Sequence, residues 1–193
     1  MAGKIILVTG GARSGKSEFA EQLVCSFGSK CAYIATAEIL DEEMRVRVEQ
    51  HRSRRNNNFW LNYEAPFQAH DIIRQLPDDI ESILFDCITM YLTNLFYGSN
   101  GEKLTENEKR CKMFESFESL VNAAKQSDKN VVFVTNEVGS GIVPFNEMSR
   151  EFRDLAGQAN QLLAGMADEA YLVVAGIAVD LKKLAVHITD RSE

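Results

Sequence analysis

A chain of 193 residues, 45% apolar and 25% charged, has an ordinary globular composition and enough length for a sizeable core. Its net charge of −7 and pI near 5.1 repel a phosphate backbone, so duplex nucleic acid is excluded as an expected partner. No apolar stretch approaches the roughly 20 residues of a membrane span, and Ile5, Ile6, Leu7 and Val8 are too short a run for a signal peptide; a cytoplasmic location is expected. The four cysteines (Cys25, Cys31, Cys87, Cys111) form no CxxC pair or zinc spacing and read as small buried apolar groups in a reducing compartment.

The first element is an apolar strand over 4–9. It runs into Gly10, Gly11, Ala12, Arg13, Ser14, Gly15, Lys16 and Ser17, which match the P-loop pattern G-x-x-x-x-G-K-S residue for residue. The glycines let the backbone curl with its N–H groups inward. Lys16 adds a point charge for β- and γ-phosphates, and the Ser17 hydroxyl can hold Mg²⁺. A helix predicted over 16–27, with Phe19, Ala20, Leu23, Val24 and Phe27 at helical spacing, aims its positive end at the same place.

Residues 31–35 (Cys-Ala-Tyr-Ile-Ala) read as a buried strand. A helix is predicted over 41–52, acidic in its first turn and basic in its last, with Leu40, Met44, Val48 and His51 on one face. Residues 59–63 suggest a short strand. Residues 66–76 suggest a helix with Pro66 at its first position and Ile72, Ile73 and Leu76 inward. A buried strand over 82–86, a helix over 88–97, a loop over 98–103, and a helix to about 126 with Met113, Phe117, Leu120, Val121 and Ala124 inward come next. The plainest buried strand is 130–135, and a glycine-containing loop covers 139–144. A helix over 148–166 turns Phe152, Leu155, Ala159, Leu162 and Met166 to one face, and strands over 170–174 and 177–181 follow.

Alternating strands and helices predict an α/β fold, a mostly parallel sheet with helices on both faces, whose ligands bind at the carboxyl ends of the strands. The residues with chemical potential fall just after strands: the P-loop, then Ala35, Thr36 and Ala37, then Asp86, then 136–141. Asp86 stands at the Walker B position, where it can bind Mg²⁺ or cap the next helix. Asn136 and Glu137 follow the 130–135 strand; Glu137 is either a base or substrate contact, or a loop cap. His51 sits among Arg45, Arg47, Arg52, Arg54 and Arg55, which can bind triphosphate oxygens and keep the imidazole neutral and nucleophilic; a helix-end histidine with a solvated basic rim is the plainer alternative. Trp60 reads as core. No Asn-Lys-x-Asp motif marks a GTPase, and the length and motif set fit a small-molecule kinase. A nucleoside- or nucleotide-type kinase and a non-enzymatic nucleotide switch are the rival readings.

As a set these motifs resemble the bifunctional adenosylcobinamide kinase / adenosylcobinamide-phosphate guanylyltransferase family of cobalamin biosynthesis. The shared stretches are Val8 to Ser17, Tyr33-Ile34-Ala35-Thr36-Ala37, Ile39-Leu40-Asp41-Glu42-Glu43-Met44 leading to His51, Cys87-Ile88-Thr89, Val134-Thr135-Asn136-Glu137-Val138-Gly139, Gly141-Ile142-Val143-Pro144, and Phe152-Arg153-Asp154-Leu155-Ala156-Gly157. The resemblance implies two linked reactions. A nucleotide γ-phosphate, from GTP or ATP, passes to adenosylcobinamide. GTP then gives GMP to a histidine, matching His51, and GMP moves on to adenosylcobinamide phosphate. It implies that Ala35, Thr36, Ala37, Arg52, Ser53, Arg54, Arg55, Glu64 and Asp86 line the GTP site beside the P-loop, that Mg²⁺ takes part, that the corrinoid is the partner substrate, that the fold is RecA-like, and that the protein is a homotrimer. The expected layout is one nucleotide-binding domain over 1–182 and a tail over 183–193. Three departures stand out: Gln50 replaces the first of the family's frequent paired histidines, Asp86 stands where the family often has Glu, and Arg52-Ser53-Arg54-Arg55 is more basic than the family pattern.

Overall fold

The central strands of the sheet read as runs of apolar residues because both faces of the sheet are covered there. The computed structural model describes residues 3–38, 59–98 and 105–186. In chain order these form β1 (Ile5–Gly10), α1 (Lys16–Cys25), β2 (Cys31–Ala35), β3 (Trp60–Glu64), α2 (Ala69–Gln75), β4 (Ser82–Asp86), α3 (Ile88–Tyr97), α4 (Glu106–Gln126), β5 (Asn130–Asn136), α5 (Glu147–Met166), β6 (Glu169–Val174), β7 (Ile177–Asp180) and the single turn α6 (Leu181–Leu184). The strands form one sheet in the order β3-β2-β4-β5-β1-β6-β7, parallel throughout except for β7.

Side chains alternate strictly across this sheet. Ile6, Val8, Leu84, Val132 and Val134 pack towards Ala20 and Val24 of α1. Ile5, Leu7, Ile83, Phe85, Val131 and Phe133 pack on the other side, beneath Ile73, Tyr91, Phe117, Leu155 and Leu163 of α2–α5. Each such fully buried aliphatic or aromatic side chain contributes about 1.5–3 kcal/mol relative to exposure.

Local chemistry fixes the element ends. Thr105 and Glu108 form a capping box on α4, and the Asn146 side chain accepts from Ser149 N–H at 2.7 Å to start α5. Asp180 ends β7 by accepting from Lys182 and Lys183 N–H at 3.1 Å, one residue before the expected end. Between β6 and β7, Ala175 and Gly176 have φ of 51° and 79°, the positive pair that a two-residue hairpin turn requires.

Apart from shifts of a residue at element ends, four departures from expectation stand out. The second described helix starts at Ala69, not Pro66, because Gln68 takes a left-handed φ of 49° immediately before it. The buried stripe of α5 is Leu155, Ala156, Ala159 and Leu163, with Phe152, Leu162 and Met166 only partly buried, since two alanines let that side lie close to the sheet. Helix α1 stops at Cys25 instead of residue 27. Cys25 and Cys111 are exposed, so only Cys31 and Cys87 behave as the small buried groups expected. The helix expected over 41–52 and most of the 98–103 loop lie outside the described residues. No described helix is long and apolar enough to cross a membrane.

Candidate active site

Parallel pairing in register brings the candidate residues to one edge of the sheet. Ala35 pairs with Glu64 on one side and with Asp86 on the other, while Gly10 pairs with Asn136. All five end their strands, so their carboxyl ends form one rim.

The cradle at the end of β1 needs its glycines. A Cβ on Gly10 would lie 2.4 Å from the Val173 carbonyl oxygen. Gly15 has φ 95°, and a Cβ there would lie 3.0 Å from Gly176 Cα. The β6–β7 turn therefore walls the loop, and Gly176 N–H donates to the Ser14 carbonyl at 2.8 Å. The exposed Arg13 also has positive φ, 56°. Gly15 precedes α1 without any side-chain cap, so the first amides of the helix point towards the space inside the loop. Lys16 is buried, and its ammonium donates to the Gly11 carbonyl at 3.1 Å, across the mouth of the loop. Ser14 Oγ is buried with no hydrogen-bond partner among the described residues. Gly11 and Ala12 are exposed, and Ser17 is half-buried at the start of α1. Buried donors around a dipole's positive end can hold an oxyanion.

Asp86 is half-buried and accepts from the Tyr33 hydroxyl at 3.4 Å. It precedes a cis peptide to Cys87. Burial, followed by the neighbouring Asp86 charge, pushes the Cys87 thiol up to about 11, which leaves it protonated and poorly nucleophilic. Thr36 is fully buried. Its hydroxyl donates to the Cys87 carbonyl and accepts from Cys87 N–H, both at 2.8 Å, and its own carbonyl accepts from Asn94 Nδ2 at 2.7 Å. Thr36 therefore ties the end of β2 to the end of β4. Ala37 is half-buried beyond it, and Glu64 is exposed at the end of β3. Among the described residues no cluster of three His, Cys, Asp or Glu side chains forms a metal site. One hydroxyl and one carboxylate instead suit Mg²⁺, which takes few protein ligands and completes its shell with phosphate and water.

Asn136 and Glu137 do different work. Asn136 Nδ2 donates to Thr89 Oγ1 at 2.9 Å, and its carbonyl accepts from Asn160 Nδ2 at 3.2 Å. Asn160 Oδ1 in turn accepts from the Thr135 hydroxyl at 2.7 Å. Glu137 N–H donates to the Gly10 carbonyl at 3.1 Å, and its carboxylate accepts from Gly139 N–H at 2.8 Å and Ser140 N–H at 2.9 Å. Partial burial pushes this carboxyl up, but the Ser140 and Gly139 bonds outweigh it and hold the group below its ordinary value. Of the two readings open in the sequence, these bonds are those of the loop cap.

Thr89, Asn94 and Asn160 escaped the sequence reading. The signal for Asn94 and Asn160 was a carboxamide inside an otherwise apolar helical stripe. Trp60 packs edge-on against Tyr33 and Phe59, as the core reading expected. His51, Arg52, Ser53, Arg54 and Arg55 lie outside the described residues.

Comparison with known proteins identifies the relatives of this chain. The family model described as cobinamide kinase / cobinamide phosphate guanyltransferase matches residues 6–181. The chain is 42% identical over 182 residues to the bifunctional adenosylcobalamin biosynthesis protein CobU of Escherichia coli (strain K12), covering 92% of this chain and 99% of that protein. It is 44% identical over 184 residues to CobU of Salmonella typhimurium (strain LT2), with the same coverage. It is 35% identical over 176 residues to CobP of Pseudomonas aeruginosa (strain PAO1), covering 91% of this chain and 96% of that protein. Among solved structures, the RadB recombinase superposes with a TM-score of 0.47 at 16% identity, over 89% of this chain and 74% of that one.

Proposed function

The chain belongs to the cobinamide kinase / cobinamide phosphate guanyltransferase family, and from that premise we infer how its residues share the two reactions. In the kinase step, the corrinoid hydroxyl attacks the γ-phosphorus of GTP or ATP; the new O–P bond forms as the bond to the nucleoside diphosphate breaks, and the hydroxyl proton leaves. In the guanylyl step, the His51 imidazole attacks the α-phosphorus of GTP, pyrophosphate departs, and GMP is held on nitrogen. A phosphate oxygen of adenosylcobinamide phosphate then attacks the same phosphorus, giving adenosylcobinamide-GDP and freeing the histidine.

The roles follow from chemistry at the rim. Gly10, Gly11, Ala12, Arg13, Ser14 and Gly15 wrap the phosphates with backbone amides, and Lys16 opposes the charge that builds on the oxygens. Ser17 and Asp86 hold Mg²⁺, which when bound supplies further neutralisation of the phosphates. Ala35, Thr36, Ala37 and Glu64 border the nucleotide from the β2–β3 side, with Arg52, Ser53, Arg54 and Arg55 next to His51 in sequence. Asn136 and Glu137 shape the acceptor side. The protein works in the cytoplasm as a homotrimer. Supporting self-association, β7 is an edge strand, and its Ile177 (68% exposed) and Val179 lie beside Val174 and Leu172 on one uncovered apolar face.

The observation that carries this reading is the register that sets a complete P-loop, Asp86 and Asn136 on one rim of a chain matched to the family almost end to end. The test is incubation with GTP labelled at the α-phosphate. An acid-labile protein adduct is expected, lost in His51→Ala; an adduct that survives the substitution overturns the nucleophile.

A further inference from the structure

The geometry points to a corrinoid-binding platform on the loop between β5 and α5, formed by Val138, Ile142, Val143, Phe145, Met148 and Tyr97. The proposal rests on the function inferred above and names where that reaction's large substrate sits. Ile142 is 98% exposed, Phe145 101%, Val143 65% and Met148 61%. Apolar side chains this open normally fold back onto the core unless something covers them.

The loop carrying them is held in place by its backbone. Glu137 N–H is bonded to Gly10, and the Glu137 carboxylate takes the Gly139 and Ser140 amides. Arg150 Nη1 donates to the Pro144 carbonyl at 3.0 Å and the Phe145 carbonyl at 2.6 Å. Asn146 starts α5 directly afterwards, and the Tyr97 hydroxyl donates to the Met148 carbonyl at 3.3 Å. The polar groups hold the backbone while the apolar side chains face outward, an arrangement that preserves a surface for a ligand.

Position selects the occupant. Glu137, the first residue of the loop, donates its N–H to the Gly10 carbonyl, so the loop leaves the rim beside the cradle where phosphate is transferred. Any acceptor must place its hydroxyl, and later its phosphate, over that cradle while the rest of it lies beside the rim. The cradle itself offers mainly polar groups, adequate for a nucleotide's phosphates. A corrinoid is a broad macrocycle edged with methyl groups and amide arms, and it needs apolar area next to the transfer site. Six side chains fall short of the about 20–30 residues per partner in a stable subunit interface, and this loop offers no open strand edge to supplement them. A small molecule fits that area better than a second copy.

The test compares the unmodified protein with Ile142→Ser/Phe145→Ser, both sites being fully exposed and removable without disturbing the core. Three readings are taken: KM for adenosylcobinamide in the kinase assay, pyrophosphate release from GTP without corrinoid, and sedimentation mass. The expected result is a rise of about tenfold or more in corrinoid KM, with GTP KM, pyrophosphate release and mass unchanged, and partial recovery in Ile142→Leu/Phe145→Leu. An unchanged corrinoid KM, or a fall in mass showing that a second copy covers the loop, overturns the platform. An unmodified protein that phosphorylates no corrinoid overturns the functional reading, and the platform with it.

Discussion

Two loops leave neighbouring strands at the same rim, and they are built in opposite ways. The cradle after β1 turns its backbone amides inward and depends on glycine because Val173 and Gly176 leave no room for a Cβ. The loop after β5 uses its polar groups to fix its own backbone and turns its side chains outward. The first suits a small anion whose shape is constant. The second suits a ligand met by area. A transferase that must hold a compact phosphate donor and a bulky acceptor needs both kinds of surface a few residues apart, and Glu137 N–H on the Gly10 carbonyl joins them.

The contrast can be broken first at the cradle. Lys16→Ala removes the buried ammonium opposite the phosphates and should lower kcat by about 10²–10³-fold in steady-state assays, with the circular-dichroism spectrum unchanged. A smaller effect is expected beneath the acceptor loop. Asn160→Ala strips the fully buried Thr135 hydroxyl of its acceptor and should cost about 1–3 kcal/mol in urea unfolding. The smallest concerns Glu137. Its folded-state pKa is depressed, so the stability it contributes is present above the ordinary carboxyl value and is lost as pH falls through the lower folded value. Thermal melts of the unmodified protein and Glu137→Gln should therefore differ at pH 7 and converge only as pH falls below the ordinary carboxyl value of 4.5; a constant difference would remove the carboxylate's role in pinning the loop.

Much of this molecule could be read from residue order. The bounds of β2, β4 and α3 agree with expectation because each is a dense apolar run closed by a breaker or a polar residue. The P-loop was legible because its demands are local. The start of α2 was not, since Pro66 is a good first helical residue, and a left-handed Gln68 is a choice made by packing. The network of Thr89, Asn136, Asn160 and Thr135 was invisible because its members lie on three elements. Ile142 and Phe145 are the clearest failure of patterning: in sequence an exposed Phe and a buried Phe look alike, and only the hydrogen bonds of the surrounding backbone separate them.

The position of β1 has a consequence for how the protein is made. This strand precedes every other described strand in the chain, yet its sheet neighbours are β5 and β6, and the turn that walls its phosphate loop is Ala175 and Gly176. On the ribosome β1 therefore waits as an apolar segment without a ladder until most of the chain has emerged, while β2, β3 and β4 can already pair with one another. The nucleotide cradle is encoded ahead of the strands that flank it, so a nascent chain gains its grip on phosphate only when the sheet that carries it is nearly complete.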